Sequence, residues 1–223
     1  MSPSPAAPAA APAAPSDVPA RVSFLDPRAK ARAVAAVKAF EAQTSAELVV
    51  TVKKQVRSYL EAHLLWGCVA AFCAVLFLLF YPMDFSTAFM PLDVFVAFAV
   101  GFGLSRVLPP LQRLALPVKK RREMVEQAAK AAFFDLGVGK TTGRTGVLVY
   151  LSVLEGVVAI VSDSGVTVEA RKLADDARNA LERSFVRLDV GTFAATLEGL
   201  GAAFASTMAR SADDVNELSD EVA

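Results

Sequence analysis

The stretch that decides the fold is GVLVYLSVLEGVVAIVSD, residues 146–163. Its first part, 146–152, is a continuous and mostly apolar run, as expected for a strand covered on both faces. Residues 154–156 (LEG) then interrupt the run with a turn signal, and residues 157–163 are again rich in β-branched side chains. The stretch therefore predicts a β-hairpin at the centre of a small sheet.

One helix and one strand are predicted earlier in the chain. Asp26 suits a helix N-cap, Pro27 suits the first helical position, and apolar residues recur near helical spacing over 34–40. Residues 48–52 are β-branched enough for a strand. Since one helix and one strand leave an apolar face and both strand edges uncovered, their partners must lie further along the chain.

Further helices are predicted on either side of the β-hairpin. One covers 119–137 and ends at Gly137, a typical C-terminal glycine position, and two more cover about 167–185 and 192–209. The last of these helices carries a single apolar stripe, formed by Phe193, Leu197, Leu200, Phe204 and Met208. The expected fold class is α+β, with helices packed on a sheet of three or more strands.

Two long apolar stretches separate the first strand from the β-hairpin. Residues 62–83 contain no Lys, Arg, Asp or Glu, and residues 85–105 contain only Asp93, near their start. About 20 apolar residues in a helix span a hydrocarbon core of roughly 30 Å. The alternative is a pair of buried helices in a soluble core, but such helices rarely lack a polar face. We therefore predict a transmembrane hairpin inserted after the first strand.

Charge predicts the orientation of this hairpin. The connecting loop, 82–93, has no Lys or Arg, and the basic residues outside the hairpin are Lys53, Lys54, Arg57, Arg106, Arg113, Lys119, Lys120, Arg121 and Arg122. The positive-inside rule then places both termini on the cytoplasmic side of the cell (inner) membrane. The N-terminal residues have no basic start and no continuous apolar core, so they do not resemble a signal peptide.

These observations predict a domain divided by the membrane hairpin. The expected units are a Pro/Ala-rich extension (1–22), the first part of the domain (23–58), the transmembrane hairpin (60–108), an interfacial linker (109–119), the second part of the domain (120–210) and an acidic tail (211–223). The basic linker is expected either to contact anionic lipid or only to orient the hairpin.

The sequence GVGKTT, residues 137–142, raises the question of a nucleotide-binding loop. Such a loop follows a buried strand and opens a helix, whereas here a helix runs in and a strand runs out. Phe134 also stands where the first glycine of the motif belongs. We therefore expect no nucleotide, although Lys140 or Arg144 could contact an anion at a glycine-rich turn. Lys+Arg and Asp+Glu balance at 23 each, which argues against a nucleic-acid partner.

The inventory of catalytic residues is poor. The only histidine, His63, lies at the membrane border and is expected to be an interfacial anchor, so no serine in the domain has a histidine partner. Cys68 and Cys73 both fall within the first apolar stretch, without disulfide or metal-site spacing.

Several segments resemble the TPM domain family, and the chain as a whole resembles a membrane-anchored, bacterial-type member of it. The matching segments are AVKAFEAQTSAELVVTV, TTGRTGVLVYLS, VVAIVSDSGV, GTFAATLEGLGAAFASTM and DDVNELSDEV. The resemblance implies an α/β/α sandwich with a groove near the strand ends. Some members of the family are reported to bind calcium, a plant member has been described as an acid phosphatase, and others are non-catalytic helpers. Fold therefore does not decide function.

The resemblance also indicates candidate site residues. Glu47 and Asp163 match acidic positions of the family, whereas Arg144 stands where many calcium-associated members have an aspartate. Three alternatives follow: an ion pair of Arg144 with Glu47 or Asp163, an anion site that includes Arg144 and Lys140, or a divalent cation such as calcium at Glu47 and Asp163.

Two hypotheses of function remain. The first is a non-catalytic binding or assembly module for a membrane-associated complex, with a membrane protein as partner and no required cofactor. The second is a metal-dependent, phosphatase-like hydrolase that uses Glu47 and Asp163.

Overall fold

The computed structural model describes residues 21–56, 59–81, 88–210 and 217–218. The predicted extension over 1–20, Arg57, part of the predicted outer loop (82–87) and most of the acidic tail lie outside the described residues. The elements are α1 Pro27–Glu41, β1 Glu47–Lys53, α2 Leu60–Phe80, α3 Met90–Val107, α4 Pro109–Ala115, α5 Val118–Asp135, a 3₁₀ turn Val138–Lys140, β2 Gly146–Ser152, β3 Val157–Ser162, α6 Val168–Val186 and α7 Val190–Ala205.

The three strands form one mixed sheet in the order β1-β2-β3. Strands β2 and β3 are antiparallel, so the predicted hairpin is confirmed, although β3 ends one residue earlier than predicted. Strand β1 runs parallel to β2, from the pair Glu47–Gly146 to the pair Lys53–Ser152. The strand before the apolar insertion therefore pairs with a strand after it, and the α+β class is confirmed.

Helices cover both faces of the sheet. Helices α1, α6 and α7 bury one face, where the Phe24 ring packs edge-on against Phe185 and Phe193, with both ring centroids 5.0 Å away. Helix α5 covers the other face through Val125, Ala129 and its neighbours. Aromatic pairs in this geometry add to the stabilisation that comes from area burial alone.

Local chemistry explains where α1 and α5 begin or end. The Asp26 side chain accepts a hydrogen bond from the Arg28 N–H at 2.8 Å, and Pro27 is the first helical residue, as predicted. Helix α5 ends before Gly137, which adopts a left-handed conformation with φ of 68°. Both helix boundaries were therefore readable from single residues.

Helix α7 differs from its predicted range, 192–209. It begins at Val190 because Asp189 caps it, accepting a hydrogen bond from the Thr192 N–H at 2.9 Å. Hydrogen bonds from the Thr192 side chain and backbone hold the pKa of Asp189 below its ordinary value. The helix ends at Ala205, yet Met208 is still buried, and its carbonyl accepts a hydrogen bond from Thr44 Oγ1 at 2.6 Å.

Helices α2 and α3 are long and apolar enough to cross a membrane. Within each helix, only 6% of the most apolar 18-residue window is buried inside the protein. The two helices pack closely at Gly101, where an added Cβ would lie 2.6 Å from the Trp66 carbonyl oxygen and 2.5 Å from the Ala70 Cβ. Gly67 of α2 lies close to Phe98 of α3 in the same way, since an added Cβ would lie 2.7 Å from Phe98 Cε2, whereas Gly103 has no neighbour within 4 Å.

Polar contacts join α2, α3 and α4 at the base of the hairpin. His63 Nδ1 lies 2.8 Å from Ser105 Oγ, and Trp66 Nε1–H donates to the Leu111 carbonyl at 2.8 Å. The Gln112 amide donates to the Ser105 carbonyl at 2.9 Å. The predicted linker, 109–119, therefore contains a short helix, α4, that is held against the hairpin.

Candidate functional site

The two predicted acidic residues lie on either side of Gly146. Glu47 is the register partner of Gly146, and the Asp163 N–H donates to the Gly146 carbonyl at 2.9 Å. Because side chains alternate along strands, Glu47 and Asp163 project to the same face as Val49 and Val161, the face that α5 covers. The structure thus brings both carboxylates to one end of the sheet.

The 3₁₀ turn Val138–Lys140 packs onto this end of the sheet. A Cβ at Gly146 would lie 2.1 Å from the Val138 carbonyl oxygen, far inside van der Waals contact. Glycine is therefore required for the turn to approach the sheet between the two carboxylates.

The two carboxylates have different contacts. Glu47 is 8% exposed, and its Oε1 accepts a hydrogen bond from the Glu217 N–H at 2.8 Å. Asp163 Oδ1 accepts a hydrogen bond from the Ser164 N–H at 2.6 Å. Asp163 Oδ2 is buried and has no hydrogen-bond partner among the described residues. The Asp163 carboxylate therefore has one acceptor oxygen that no described protein group uses.

Arg144 and Lys140 are both exposed. Arg144 has a φ of 50°; its N–H donates to Thr141 at 3.0 Å, and its carbonyl accepts from the Gly165 N–H at 2.8 Å. Within the part of the chain that the structure describes, Arg144 forms no ion pair with Glu47 or Asp163. The ion-pair alternative is therefore not found, because backbone bonds shape this turn and the guanidinium stays in solvent.

The glycine-rich loop binds a carboxylate through its backbone. The Thr142 N–H donates to Glu217 Oε2 at 2.8 Å, so a residue of the acidic tail contacts both this loop and Glu47. Over the described residues, no group of three or more His, Cys, Asp or Glu side chains could hold a metal ion. A calcium ion takes six to eight oxygens, so Glu47 and Asp163 would need other oxygen donors. The arrangement is suited to binding a charged group.

A second polar cluster surrounds Glu155, at the other end of the sheet. Glu155 is 2% exposed. Its carboxylate accepts hydrogen bonds from the Tyr59 and Ser152 hydroxyls and, at 3.2 Å, from the Val56 N–H. No pattern in the sequence indicates this cluster, because residues 154–156 (LEG) predict only an exposed β-turn.

Two of the arginines that predict membrane orientation also hold the β2–β3 turn. Arg113 of α4 donates to the Leu154 carbonyl at 2.6 Å and to the Val153 carbonyl at 3.0 Å. Arg121 of α5 donates to the Glu155 carbonyl at 3.0 Å. Together with Tyr59, which precedes α2, these contacts tie the apolar hairpin to the sheet.

The Tyr59 hydroxyl predicts a loss of stability at alkaline pH. Burial, the hydrogen bond to Glu155 and the charge of Glu155 raise the pKa of Tyr59 above its ordinary value of 10.0. A group whose pKa is raised by folding contributes its full stabilisation below its unfolded-state pKa. For Tyr59 this contribution is therefore complete below pH 10, and it is lost as the pH rises towards the folded-state pKa. We expect Tyr59→Phe to lower stability by about 1 kcal/mol at pH 7 and to make the loss above pH 10 shallower.

The check is a series of thermal melts between pH 7 and pH 11. Tyr81→Phe is the matched control, because Tyr81 is 45% exposed. An unchanged alkaline slope in Tyr59→Phe would contradict the assignment. Tyr150, whose pKa burial also raises, contributes a residual slope in every variant.

The comparisons with known proteins bear on the fold. No family model matches the sequence, and no curated protein matches it. The fold is similar to the NMR structure of the BA42 protein from the psychrophilic bacterium Bizionia argentinensis, with a TM-score of 0.54 and 18% sequence identity. The match covers 90% of this chain and 95% of that chain. At this identity the likeness shows the fold alone.

Proposed function

We propose that this chain is a membrane-anchored, non-catalytic binding or assembly module of a membrane-associated complex. Its domain would be a TPM-like α/β/α sandwich on the cytoplasmic side of the cell membrane, with α2 and α3 as the inserted hairpin. The observation that carries the proposal is that β1 pairs with β2 although the two apolar helices α2 and α3 lie between these strands in the chain. The protein itself leaves both helices largely exposed. Both ends of such a hairpin lie on the same side of a bilayer, as this pairing requires.

The binding surface would be the end of the sheet that carries Glu47 and Asp163. The loop between α5 and β2 carries two exposed cations, Lys140 and Arg144, and its Thr142 N–H already donates to a carboxylate of the same chain. An acidic segment of a membrane protein is the class of partner that this surface would accept.

Site-specific photo-crosslinking in intact membranes tests this surface. We expect a crosslinker at Arg144 to give one discrete heterologous product and the same group at Glu169, an exposed residue of α6, to give none. A crosslinker at Thr142 should give the same product in the otherwise native chain. Arg144→Glu should remove that product, because it reverses the charge complementarity. Equal crosslinking from Arg144 and from Glu169 would contradict a specific binding surface at this loop.

The metal-dependent hydrolase remains the second candidate, because Asp163 keeps a buried oxygen without a hydrogen-bond partner among the described residues. A ligand that binds only the folded state raises the melting temperature by mass action. With calcium, magnesium or manganese we expect no rise, and with inorganic phosphate a rise that Arg144→Gln reduces. A metal-dependent rise that Asp163→Asn abolishes would instead favour the hydrolase and contradict the non-catalytic module.

A further inference from the structure

A cavity of about 510 Å³ lies where the first turns of α2 meet the end of α4 and the start of α5. This volume is within the usual range of small-ligand sites, roughly 300–1,000 Å³. It lies on the same side of the molecule as the Glu155 cluster, since Tyr59 contributes to its wall. None of the residues predicted from the sequence as site residues lines it.

The lining of the cavity combines apolar and charged side chains. Leu65 of α2 and Leu116 line it together with Glu61, which lies one turn before Leu65. On α5 the lining residues recur at helical spacing and form a single stripe that includes Lys120, Glu123 and Met124. An amphipathic ligand matches this lining.

The charges specify the polar part of that ligand. Lys120 Nζ lies 4.0 Å from Glu61 Oε2, and the two side chains are 55% and 88% exposed. Glu123 adds a second carboxylate, so one ammonium group stands beside two carboxylates. A purely anionic headgroup meets more repulsion than attraction there, whereas a zwitterion satisfies both signs.

We propose that this cavity binds the headgroup of a zwitterionic aminophospholipid. The lipid phosphate lies at Lys120, its primary ammonium lies at Glu123 and Glu61, and an acyl chain follows Leu65 along α2. A primary ammonium is preferred over a quaternary one, because only the former donates hydrogen bonds to a carboxylate. The inference rests on the proposed membrane anchoring of α2 and α3.

Native mass spectrometry of the full chain, released from nanodiscs, tests the proposal. The nanodiscs contain equal amounts of phosphatidylethanolamine, phosphatidylcholine and phosphatidylglycerol. We expect the protein to retain phosphatidylethanolamine preferentially. Glu123→Gln should reduce that preference by about two- to fivefold, and Lys120→Gln should reduce retention of all three lipids. The matched controls are Glu126→Gln and Lys119→Gln, which change neighbouring residues outside the cavity and should retain lipid as the wild type does.

Two outcomes separate this inference from the anchoring itself. If the protein resists alkaline extraction from membranes, any of three results overturns the headgroup site. These are equal retention of the three lipids, a preference for phosphatidylglycerol, and an unchanged preference in Glu123→Gln. Release of the protein by alkaline extraction overturns the anchoring, and the headgroup site with it. Unchanged thermal melts of all four variants would show that lost retention is not due to unfolding.

Discussion

Gly146→Ala is expected to destabilise the domain by about 3 kcal/mol or more, or to prevent folding. The added Cβ would lie 2.1 Å from the Val138 carbonyl oxygen and 2.8 Å from Val138 Cγ1. The turn Val138–Lys140 would have to move away from the sheet. It would then no longer pack between Glu47 and Asp163. The measurement is the thermal melt in detergent, followed by circular dichroism.

Gly199→Ala is the control for this prediction. Gly199 is an exposed residue of α7, and an added Cβ there has no neighbour within 4 Å. Alanine in a helix interior is favoured over glycine, so this variant should gain about 0.5–1 kcal/mol. Equal stability of Gly146→Ala and wild type would show that the turn does not approach the sheet as described.

Glu155→Leu is the second substitution with a large expected effect. It fills the buried volume but leaves the Val56 N–H and the hydroxyls of Tyr59 and Ser152 without their acceptor. Each unsatisfied buried group costs about 1–3 kcal/mol, and removal of the buried charge offsets part of the sum. We expect a net loss of about 3 kcal/mol, measured by thermal melts.

Glu155→Gln should fall between the wild type and Glu155→Leu, because the amide keeps one of the two acceptor oxygens. Glu169→Gln changes an exposed glutamate and should stay within about 0.5 kcal/mol of the wild type. If Glu155→Leu has the same melting temperature as the wild type, the cluster does not tie the hairpin to the sheet.

The parts of the fold that could be predicted depend on local chemistry. The pair Asp26–Pro27 defines the start of α1, and the β-branched runs around residues 154–156 define the hairpin. The pairing of β1 with a later strand followed from the need to cover an isolated strand. Its parallel direction did not, because β1 and β2 are joined through α2–α5, whose path no local pattern specifies.

The candidate site was less predictable, because long-range contacts decide it. Glu155 is buried only because Tyr59 and Val56, almost a hundred residues earlier in the chain, return to its turn. Similarly, the contact of Glu217 with Glu47 joins residues that lie 170 positions apart. No spacing rule connects such pairs. The signal that was present, a glutamate in a turn that joins two apolar strands, is equally typical of a solvated turn.

The central claim is that α2 and α3 cross the bilayer and leave the domain on the cytoplasmic side. Its most direct test is labelling with a membrane-impermeant maleimide, after both native cysteines are changed to serine. A single cysteine is placed either at Ser86, between the two apolar helices, or at Ser206, which follows α7. The account predicts labelling of Ser86→Cys in intact cells and of Ser206→Cys only after permeabilisation. Labelling of Ser206→Cys in intact cells, or of neither before permeabilisation, would contradict it.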